Sequence, residues 1–266
     1  MLENADPHTV AKAARLARIL ADERPELAGV SIPEDGAAIW FALRALMNTR
    51  PPSPLPASVL ALQDSLLQSI RESRGITDVH DIGSIAGSDR IALWQGDITT
   101  LRADAIVNAA NPKMLGCFAP NHRCIDNAIH TFAGMQLRLA CDEIMISRKR
   151  DEPTGTATVT PAFNLPAEYV LHTVGPTIAD KATDRHDREL ASCYESCLKA
   201  AAECGASTIA FCCISTGEFR FPRERAARIA VGTVRKFLVK SDSIETVVFD
   251  VYTAADRAIY ERELSA

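Results

Sequence analysis

The sequence predicts an α/β domain that is preceded by an all-helical N-terminal segment. In the first ~75 residues, apolar side chains recur at the 3.6-residue spacing of helices. From about Ile85 onward, short apolar runs alternate with helical patterns. In an α/β fold of this kind, ligands bind outside the carboxyl ends of the strands. The polar segments that follow the predicted strands are therefore the first candidates for a functional site.

Three helices account for the N-terminal segment. We predict them at residues 10–20, 37–47 and 59–70, and the proline-rich stretch at 50–56 separates the last two. Residues 1–75 are too few, and too apolar on one face, to be stable alone. We therefore expect them to form an extension that packs on a main domain of residues 76–266.

The main domain should contain six strands and three long helices. The strands are predicted at residues 91–93, 105–107, 156–160, 169–174, 208–213 and 246–251. The helices are predicted at residues 184–204, 222–239 and 255–264, and a shorter helical pattern begins near Ile125.

Composition excludes several classes of protein. The chain of 266 residues has a net charge of −5, which gives no basic face for nucleic acid. No apolar run approaches the ~20 residues that span a bilayer. The N-terminus carries acidic residues where a targeting peptide would carry Lys or Arg, so we expect a cytoplasmic protein. Its eight cysteines are then thiols or metal ligands rather than disulfides.

A cluster of metal-ligating residue types lies on one predicted loop. Cys117, His122 and Cys124 surround Pro120, and Asp126 follows two residues later. Three such ligands beside a carboxylate are typical of catalytic zinc, which keeps one coordination position open. A closed structural zinc site with a fourth ligand from elsewhere is an alternative, and an incidental trio is another.

Two residues near this cluster also have interpretations that involve structure rather than catalysis or metal binding. Asp126 could cap the helix that follows it, since aspartate is a favoured N-cap residue, and could do so while acting in catalysis. His130 is interpreted as a hydrogen-bonded core or helix-face histidine rather than a fourth metal ligand.

Four segments with loop composition follow predicted strands. They are residues 95–99, 108–112, the metal-ligand loop and 214–219. In the last one, small residues lead into a helix N-terminus, where backbone N–H groups can converge on a phosphate. The four segments should meet along one edge of one sheet.

These segments, in this order, resemble the signature of the macrodomain family from about Arg90 to the C-terminus. The matching runs are Gly-Asp-Ile-Thr, Ala-Ile-Val-Asn-Ala-Ala-Asn, Ile-Asp-Asn-Ala-Ile-His and Ile-Ser-Thr-Gly-Glu-Phe. The ordinary family has a glycine run where this chain has Cys-Phe-Ala-Pro-Asn-His-Arg-Cys. That departure resembles the microbial zinc-dependent branch, which also carries a helical N-terminal extension.

The resemblance implies a fold, a function and partners. The fold is a three-layer α/β/α sandwich with a mixed central sheet, plus the helical extension. Members of the zinc-dependent branch are protein-ADP-ribose hydrolases. They are often encoded with a sirtuin-type transferase that modifies a lipoyl-carrier protein. One Zn²⁺, ADP-ribose and a mono-ADP-ribosylated protein are thus the expected cofactor, ligand and substrate, with neither nucleic acid nor membrane involved.

The resemblance also assigns roles to residues. Asp97 should accept a hydrogen bond from the adenine amino group, beside Ile98. The expected pyrophosphate loop consists of Ser215, Thr216, Gly217, Glu218 and Phe219. Asn108 and Asn111 should face the distal ribose, Asp126 should be the catalytic-loop aspartate, and Tyr252 should line the adenine pocket. Glu218 is a departure, because its carboxylate must either face away from phosphates or serve the metal site.

The resulting hypothesis is zinc-dependent removal of mono-ADP-ribose from protein side chains, with Asp126, Asn108 and Asn111 as the catalytic residues. Zinc could acidify a water or position the substrate, and the residues favour neither role. One alternative is an ADP-ribose reader without turnover. Another is a macrodomain in which the zinc is purely structural.

Overall fold

The three N-terminal helices follow the predicted periodicity. The computed structural model describes residues 1–27, 29–85 and 87–266. The helices are α1 (Pro7–Asp22), α2 (Gly36–Thr49) and α3 (Ala57–Arg74). The Asp6 carboxylate caps α1 by accepting the backbone N–H groups of His8 and Thr9, and Asp35 caps α2 through Ala38. Side-chain caps at the first residues thus define where α1 and α2 begin.

The centre of the molecule is a mixed sheet of seven strands in the order β2-β3-β9-β8-β5-β7-β6. Its strands are β2 (Ser84–Ile85), β3 (Ser88–Gln95), β5 (Ala105–Ala109), β6 (Ala157–Pro161), β7 (Tyr169–Thr173), β8 (Thr208–Phe211) and β9 (Thr246–Val251). The five strands from β3 to β7 in this order run parallel, while β2 and β6 pair antiparallel at the two edges. Two further strands, β1 (Thr77–Asp78) and β4 (Leu101–Arg102), form a separate parallel pair.

Helices cover both faces of the sheet. They are α4 (Ile125–Ala133), α5 (Met135–Arg148), α6 (Asp184–Glu203), α7 (Arg223–Lys240) and α8 (Ala254–Ser265). Successive residues of a strand point to opposite faces. On β7, His172 contacts Cys141 of α5, whereas its neighbour Thr173 lies against Cys193 of α6. The prediction of a three-layer α/β/α fold with a mixed sheet and N-terminal helices is confirmed.

The N-terminal helices share one apolar core with the sheet domain. Trp40 of α2 stacks on Phe132 of α4, with ring centroids 5.9 Å apart. Gln63 of α3 is fully buried and accepts the backbone N–H of Met135 at 2.8 Å, which satisfies a donor at the start of α5. The division at residue 75 stays a prediction, but helices α1–α3 bury their apolar faces on the elements that follow.

The sequence prediction missed the shortest elements. Strands β1, β2 and β4 have two residues each, too few for any periodicity. Strand β3 extends beyond the predicted 91–93 at both ends, and β8 ends at Phe211 rather than at residue 213. Pro222 is the N-cap of α7 instead of its first residue. No helix among the described residues is long and apolar enough to span a membrane.

A core substitution in α2 tests whether the extension belongs to the folding unit. Leu43 is completely buried, whereas Phe41 in the same helix is 64% exposed. We expect Leu43→Ala to lower the free energy of unfolding of the whole chain by about 2–5 kcal/mol, because it leaves a cavity in the shared core. Urea unfolding followed by circular dichroism should show one transition. Phe41→Ala is the matched control and should unfold like the parent. A separate early transition in Leu43→Ala would show that the extension folds independently.

Candidate active site

The predicted site residues meet in one cleft of about 1040 Å³, which is large enough for a dinucleotide-sized ligand. It lies beyond the carboxyl ends of strands β3, β5, β8 and β9. Its walls include Asp97, Ile98, Asn111, Cys117, His122, Cys124, Asp126, Ser215, Thr216, Gly217, Glu218, Phe219 and Tyr252. Asn108 is the one predicted site residue behind the wall, where it is fully buried.

The donor atoms of Cys117, His122 and Cys124 converge at one point of this wall. They lie within 4.8 Å of one another, and Cys117 Sγ is 3.5 Å from His122 Nδ1. Tetrahedral zinc holds a sulfur and a nitrogen ligand about 3.6 Å apart, given its usual bond lengths. Among the residues that the structure describes, no fourth His, Cys, Asp or Glu joins the trio. The donor set and spacing therefore fit a zinc ion that keeps one position free.

Glu218 reaches the metal-ligand loop from the other side of the cleft. Its Oε1 lies 3.7 Å from His122 Nε2, the ring nitrogen that does not face Cys117. Metal-binding histidines commonly direct their second nitrogen at a carboxylate, which orients the ring. Of the two roles open for Glu218, its position beside His122 fits service to the metal site, at a separation longer than a direct hydrogen bond.

Cys124 also begins helix α4. Its Sγ accepts the backbone N–H of Asn127 at 3.4 Å, so the thiol occupies the N-cap position. Asp126 therefore lies in the first turn, and the alternative that it caps the helix is wrong. A carboxylate in a first turn is stabilised by the positive end of the helix dipole.

The carboxylate of Asp126 is buried between two asparagine amides. Asn108 Nδ2 donates to Oδ1 at 2.8 Å, and Asn111 Nδ2 donates to Oδ2 at 3.2 Å. Burial raises the pKa of Asp126 to about 6, although the two amides and the charge of Arg138 favour the ionised form. At neutral pH the group is therefore mainly a carboxylate whose two oxygens are fixed in direction.

Asn108 is itself oriented by His172 on the neighbouring strand. Its second amide hydrogen points at His172 Nδ1, 3.1 Å away. Burial lowers the pKa of His172 to about 3, so the ring is neutral and Nδ1 can accept. Both amide hydrogens of Asn108 are then used. The predicted contact of Asn108 with a distal ribose stays a prediction, and only its Oδ1 is left to make it.

A second buried group of metal-ligand types lies behind Asp126. It contains His130, Cys141 and His172. Because His172 Nδ1 accepts from Asn108, its proton is on Nε2, which faces Thr160 Oγ1 at 2.9 Å and cannot also bind a metal.

As expected, His130 is a core histidine of α4 and does not join the trio, but the expectation that it is hydrogen-bonded is wrong. Both of its ring nitrogens lack a hydrogen-bond partner among the described residues, and Nε2 lies 3.6 Å from Asp126 Oδ1. Burial lowers its pKa well below the usual value, so the ring is neutral. It packs under the metal-ligand loop, where a Cβ on Gly116 would approach the ring to 2.8 Å.

The predicted adenine-binding carboxylate is fixed at both oxygens. Oδ1 of Asp97 accepts the backbone N–H of Thr99 at 3.0 Å and its hydroxyl at 2.6 Å. Oδ2 accepts Arg74 Nη2 at 2.5 Å, and the Arg74 guanidinium lies over the Phe132 ring at 4.1 Å. Arg74 belongs to the N-terminal helices, so the extension shapes this end of the site. Tyr252 is 78% exposed at the rim.

The loop from Ser215 to Phe219 has a fixed, turned backbone. Ser215 has φ 65°, its carbonyl accepts the N–H of Phe221 at 2.9 Å, and the carbonyl of Phe219 accepts from Ile178 at 2.8 Å. Gly175 packs closely against this loop, because a Cβ there would come within 1.9 Å of Ser215 Oγ and would force a side chain to shift. The rigid loop precedes the N-terminus of α7, a suitable place for a phosphate.

Sequence reasoning missed four residues that contact these groups, namely Arg44, Arg74, Asn127 and His172. Arg44 had a usable signal, because it is the one charged residue in the mostly apolar helix α2. The others look like ordinary helix or strand residues, and only their long-range contacts identify them.

Comparison with known proteins agrees with the fold. The Macro domain family matches residues 107–230. A protein-ADP-ribose hydrolase of Treponema medium is 50% identical over 94% of this chain and 97% of its own length. A probable bifunctional ADP-ribose hydrolase/ADP-ribosyltransferase of Fusarium oxysporum is 43% identical over 84% of this chain, which spans 40% of that protein.

The solved structure of a Trypanosoma brucei macrodomain in complex with ADP-ribose superimposes with a TM-score of 0.65 at 31% identity, covering 80% of this chain and 92% of that one. Together with the identity to the Treponema enzyme over almost the entire chain, this shows that the protein belongs to the macrodomain family and is a hydrolase of its protein-ADP-ribose hydrolase group.

Proposed function

We propose that this protein is a zinc-dependent hydrolase that releases ADP-ribose from mono-ADP-ribosylated protein side chains. The observation that carries the proposal is that Cys117, His122 and Cys124 converge on the wall of the same cleft as the buried carboxylate of Asp126. The names of its relatives support removal of ADP-ribose. The metal dependence rests on the donor set of this chain alone.

The residues of the cleft suit the hydrolysis of a glycosidic bond. Water adds to the anomeric carbon of the distal ribose and loses a proton, and the bond to the protein side chain breaks with its electron pair leaving on that side chain, which gains a proton. The transition state has oxocarbenium character. The Asp126 carboxylate can orient the water and offset the positive charge on the ribose. Asn108 and Asn111 act through Asp126, because each directs an amide N–H at one of its oxygens.

Cys117, His122 and Cys124 would hold the zinc, which would supply a Lewis-acid charge in the cleft. Two thiolates neutralise most of that charge, so substrate positioning is as well supported as acidification of water. Glu218 would orient His122 through Nε2.

The substrate is proposed as a mono-ADP-ribosylated protein. A lipoyl-carrier protein modified by a sirtuin-type transferase is the specific candidate. The Fusarium relative, whose name joins a hydrolase to a transferase, supports functional coupling to a transferase but not its type. A reader without turnover is not favoured, because the relatives are named hydrolases.

Metal removal tests the zinc dependence. We expect one zinc per chain, lower occupancy in Cys117→Ser and His122→Ala, and unchanged occupancy in Cys204→Ser, a control cysteine at the end of α6. Chelation should abolish most release of ADP-ribose from a mono-ADP-ribosylated protein, and added zinc should restore it. The far-UV circular dichroism should persist, because the core consists of strands and helices outside this loop.

Two outcomes would contradict that expectation. Unfolding on chelation would favour the structural-zinc alternative, and full turnover in metal-free protein would exclude a catalytic role for the trio.

Replacing Asp97 tests whether the cleft binds ADP-ribose through this carboxylate. ADP-ribose should bind and raise the melting temperature. Asp97→Asn keeps the size of the side chain but loses its charge and one acceptor, and should weaken binding by about 1–3 kcal/mol in calorimetry. Asp89→Asn alters an exposed carboxylate of β3 and is the control. If Asp97→Asn and the parent bind ADP-ribose with equal affinity, Asp97 does not contribute to the binding site.

Variants of Asp126 and Asn108 distinguish an effect on hydrolysis from an effect on ADP-ribose binding. Asp126→Asn and Asn108→Ala should slow hydrolysis by about 10²–10⁴-fold, because groups that orient the water act mainly in the transition state. ADP-ribose affinity should change much less. Asp142→Asn on α5, outside the cleft, should behave as the parent does. Parental turnover by Asp126→Asn and Asn108→Ala would overturn the catalytic assignment.

A further inference from the structure

Helix α2 of the N-terminal extension makes direct contact with the metal-ligand loop. Arg44 Nη2 donates to the backbone carbonyl of His122 at 2.9 Å and to Asn127 Oδ1 at 2.7 Å. Arg44 also lines the cleft, beside Cys117 and Cys124. One arginine thus connects the extension to a proposed ligand and to the helix that follows the loop.

Asn127, which accepts from Arg44, contacts the other two proposed ligands, Cys117 and Cys124. Its side chain is fully buried, and Nδ2 donates to the carbonyls of Cys117 at 3.4 Å and Ala119 at 3.1 Å. Its backbone N–H donates to Cys124 Sγ at 3.4 Å. Arg44 and Asn127 together therefore contact all three ligand residues, at two carbonyl groups and one sulfur.

The loop needs such support, because residues 116–124 contain no helix or strand. Gly116 and Asn121 have positive φ angles of 79° and 54°. Asn121 is fixed from outside the loop as well, since its N–H donates to Asn48 Oδ1 at 3.0 Å and its Nδ2 to the carbonyl of Phe41 at 3.2 Å.

The supporting residues share one face of α2. Phe41, Arg44 and Asn48 are spaced by three and four residues, which is the spacing of neighbours along one side of a helix. This face contacts the loop at Asn121, His122 and, through Asn127, at Cys117 and Cys124.

From these contacts we infer that Arg44 and Asn127 are positioning residues of the metal site. They hold Cys117, His122 and Cys124 in the arrangement that zinc requires, and helix α2 is thereby part of the metal centre. The inference rests on the proposed zinc dependence and adds to it the residues that set the affinity. Outer contacts of this kind commonly change metal affinity by about 10–100-fold.

The test measures zinc affinity by competition with a chromogenic chelator, using the full chain and Zn²⁺ alone. Arg44→Met keeps the length of the side chain and loses both hydrogen bonds. Arg44→Met and Asn127→Ala should each weaken zinc binding by about 10–100-fold. Arg44→Lys keeps the charge without the guanidinium geometry and should fall between Arg44→Met and the parent.

Arg18→Met is the matched control. Arg18 belongs to the same extension but donates to the carbonyl of Val30, away from the loop, and its replacement should leave zinc affinity unchanged. A positioning role predicts a further result. Excess zinc should restore hydrolysis in Arg44→Met, which a general loss of folding would not allow.

The outcomes separate the two proposals. If the parent binds zinc and both Arg44→Met and Asn127→Ala bind it equally well, the positioning role is wrong while the proposed function stands. If the parent binds no zinc, both the zinc dependence and the positioning role are wrong. Arg44 is only half-buried, so Arg44→Met and Arg44→Lys keep the test valid if Asn127→Ala does not fold.

Discussion

The site depends on keeping the carboxylate of Asp126 ionised while it is almost entirely removed from water. An unpaired carboxylate in such a place costs several kcal/mol, so donors must converge on it, and Asn108 and Asn111 supply one N–H each. The other N–H of Asn108 needs an acceptor, which neutral His172 provides. Strands β5 and β7 pair Asn108 directly with His172. A slip of one residue would turn His172 to the opposite face of the sheet. The register of β5 and β7 therefore determines whether the charge of Asp126 is stabilised.

Two arginines connect the N-terminal helices to residues that line the cleft. Arg74, in the last turn of α3, contacts Asp97, and Arg44 of α2 contacts the metal-ligand loop. Burial lowers the pKa of both guanidinium groups, yet each remains charged at neutral pH and must keep its acceptors. Each contact therefore fixes the position of both the arginine and the loop residue that accepts from it. The extension shapes the site through these contacts, in addition to burying apolar surface.

Much of this could be predicted from the sequence, because it is encoded locally. Apolar runs predicted the six longer strands, and their polar ends predicted which segments meet in the cleft. The spacing of Cys117, His122 and Cys124 predicted their convergence. What could not be predicted depends on partners distant in the chain. The tautomer of His172 follows from a pairing across the sheet, and the N-cap role of Cys124 replaces the one considered for Asp126. The contact of Arg44 with His122 joins residues 78 positions apart.

The metal-ligand loop and helix α2 of the N-terminal extension form one structural unit. To bind zinc as proposed, the metal-ligand loop would have to hold its three ligands to within about 0.5 Å, and its backbone has neither helix nor strand to do so. Here the missing contacts come from one face of α2 and from Asn127 at the start of α4. The ligand loop without the helices would lose these contacts, and the helices without the loop would leave Arg44 with no acceptor for its charge. The loop and the helices therefore depend on each other for these contacts.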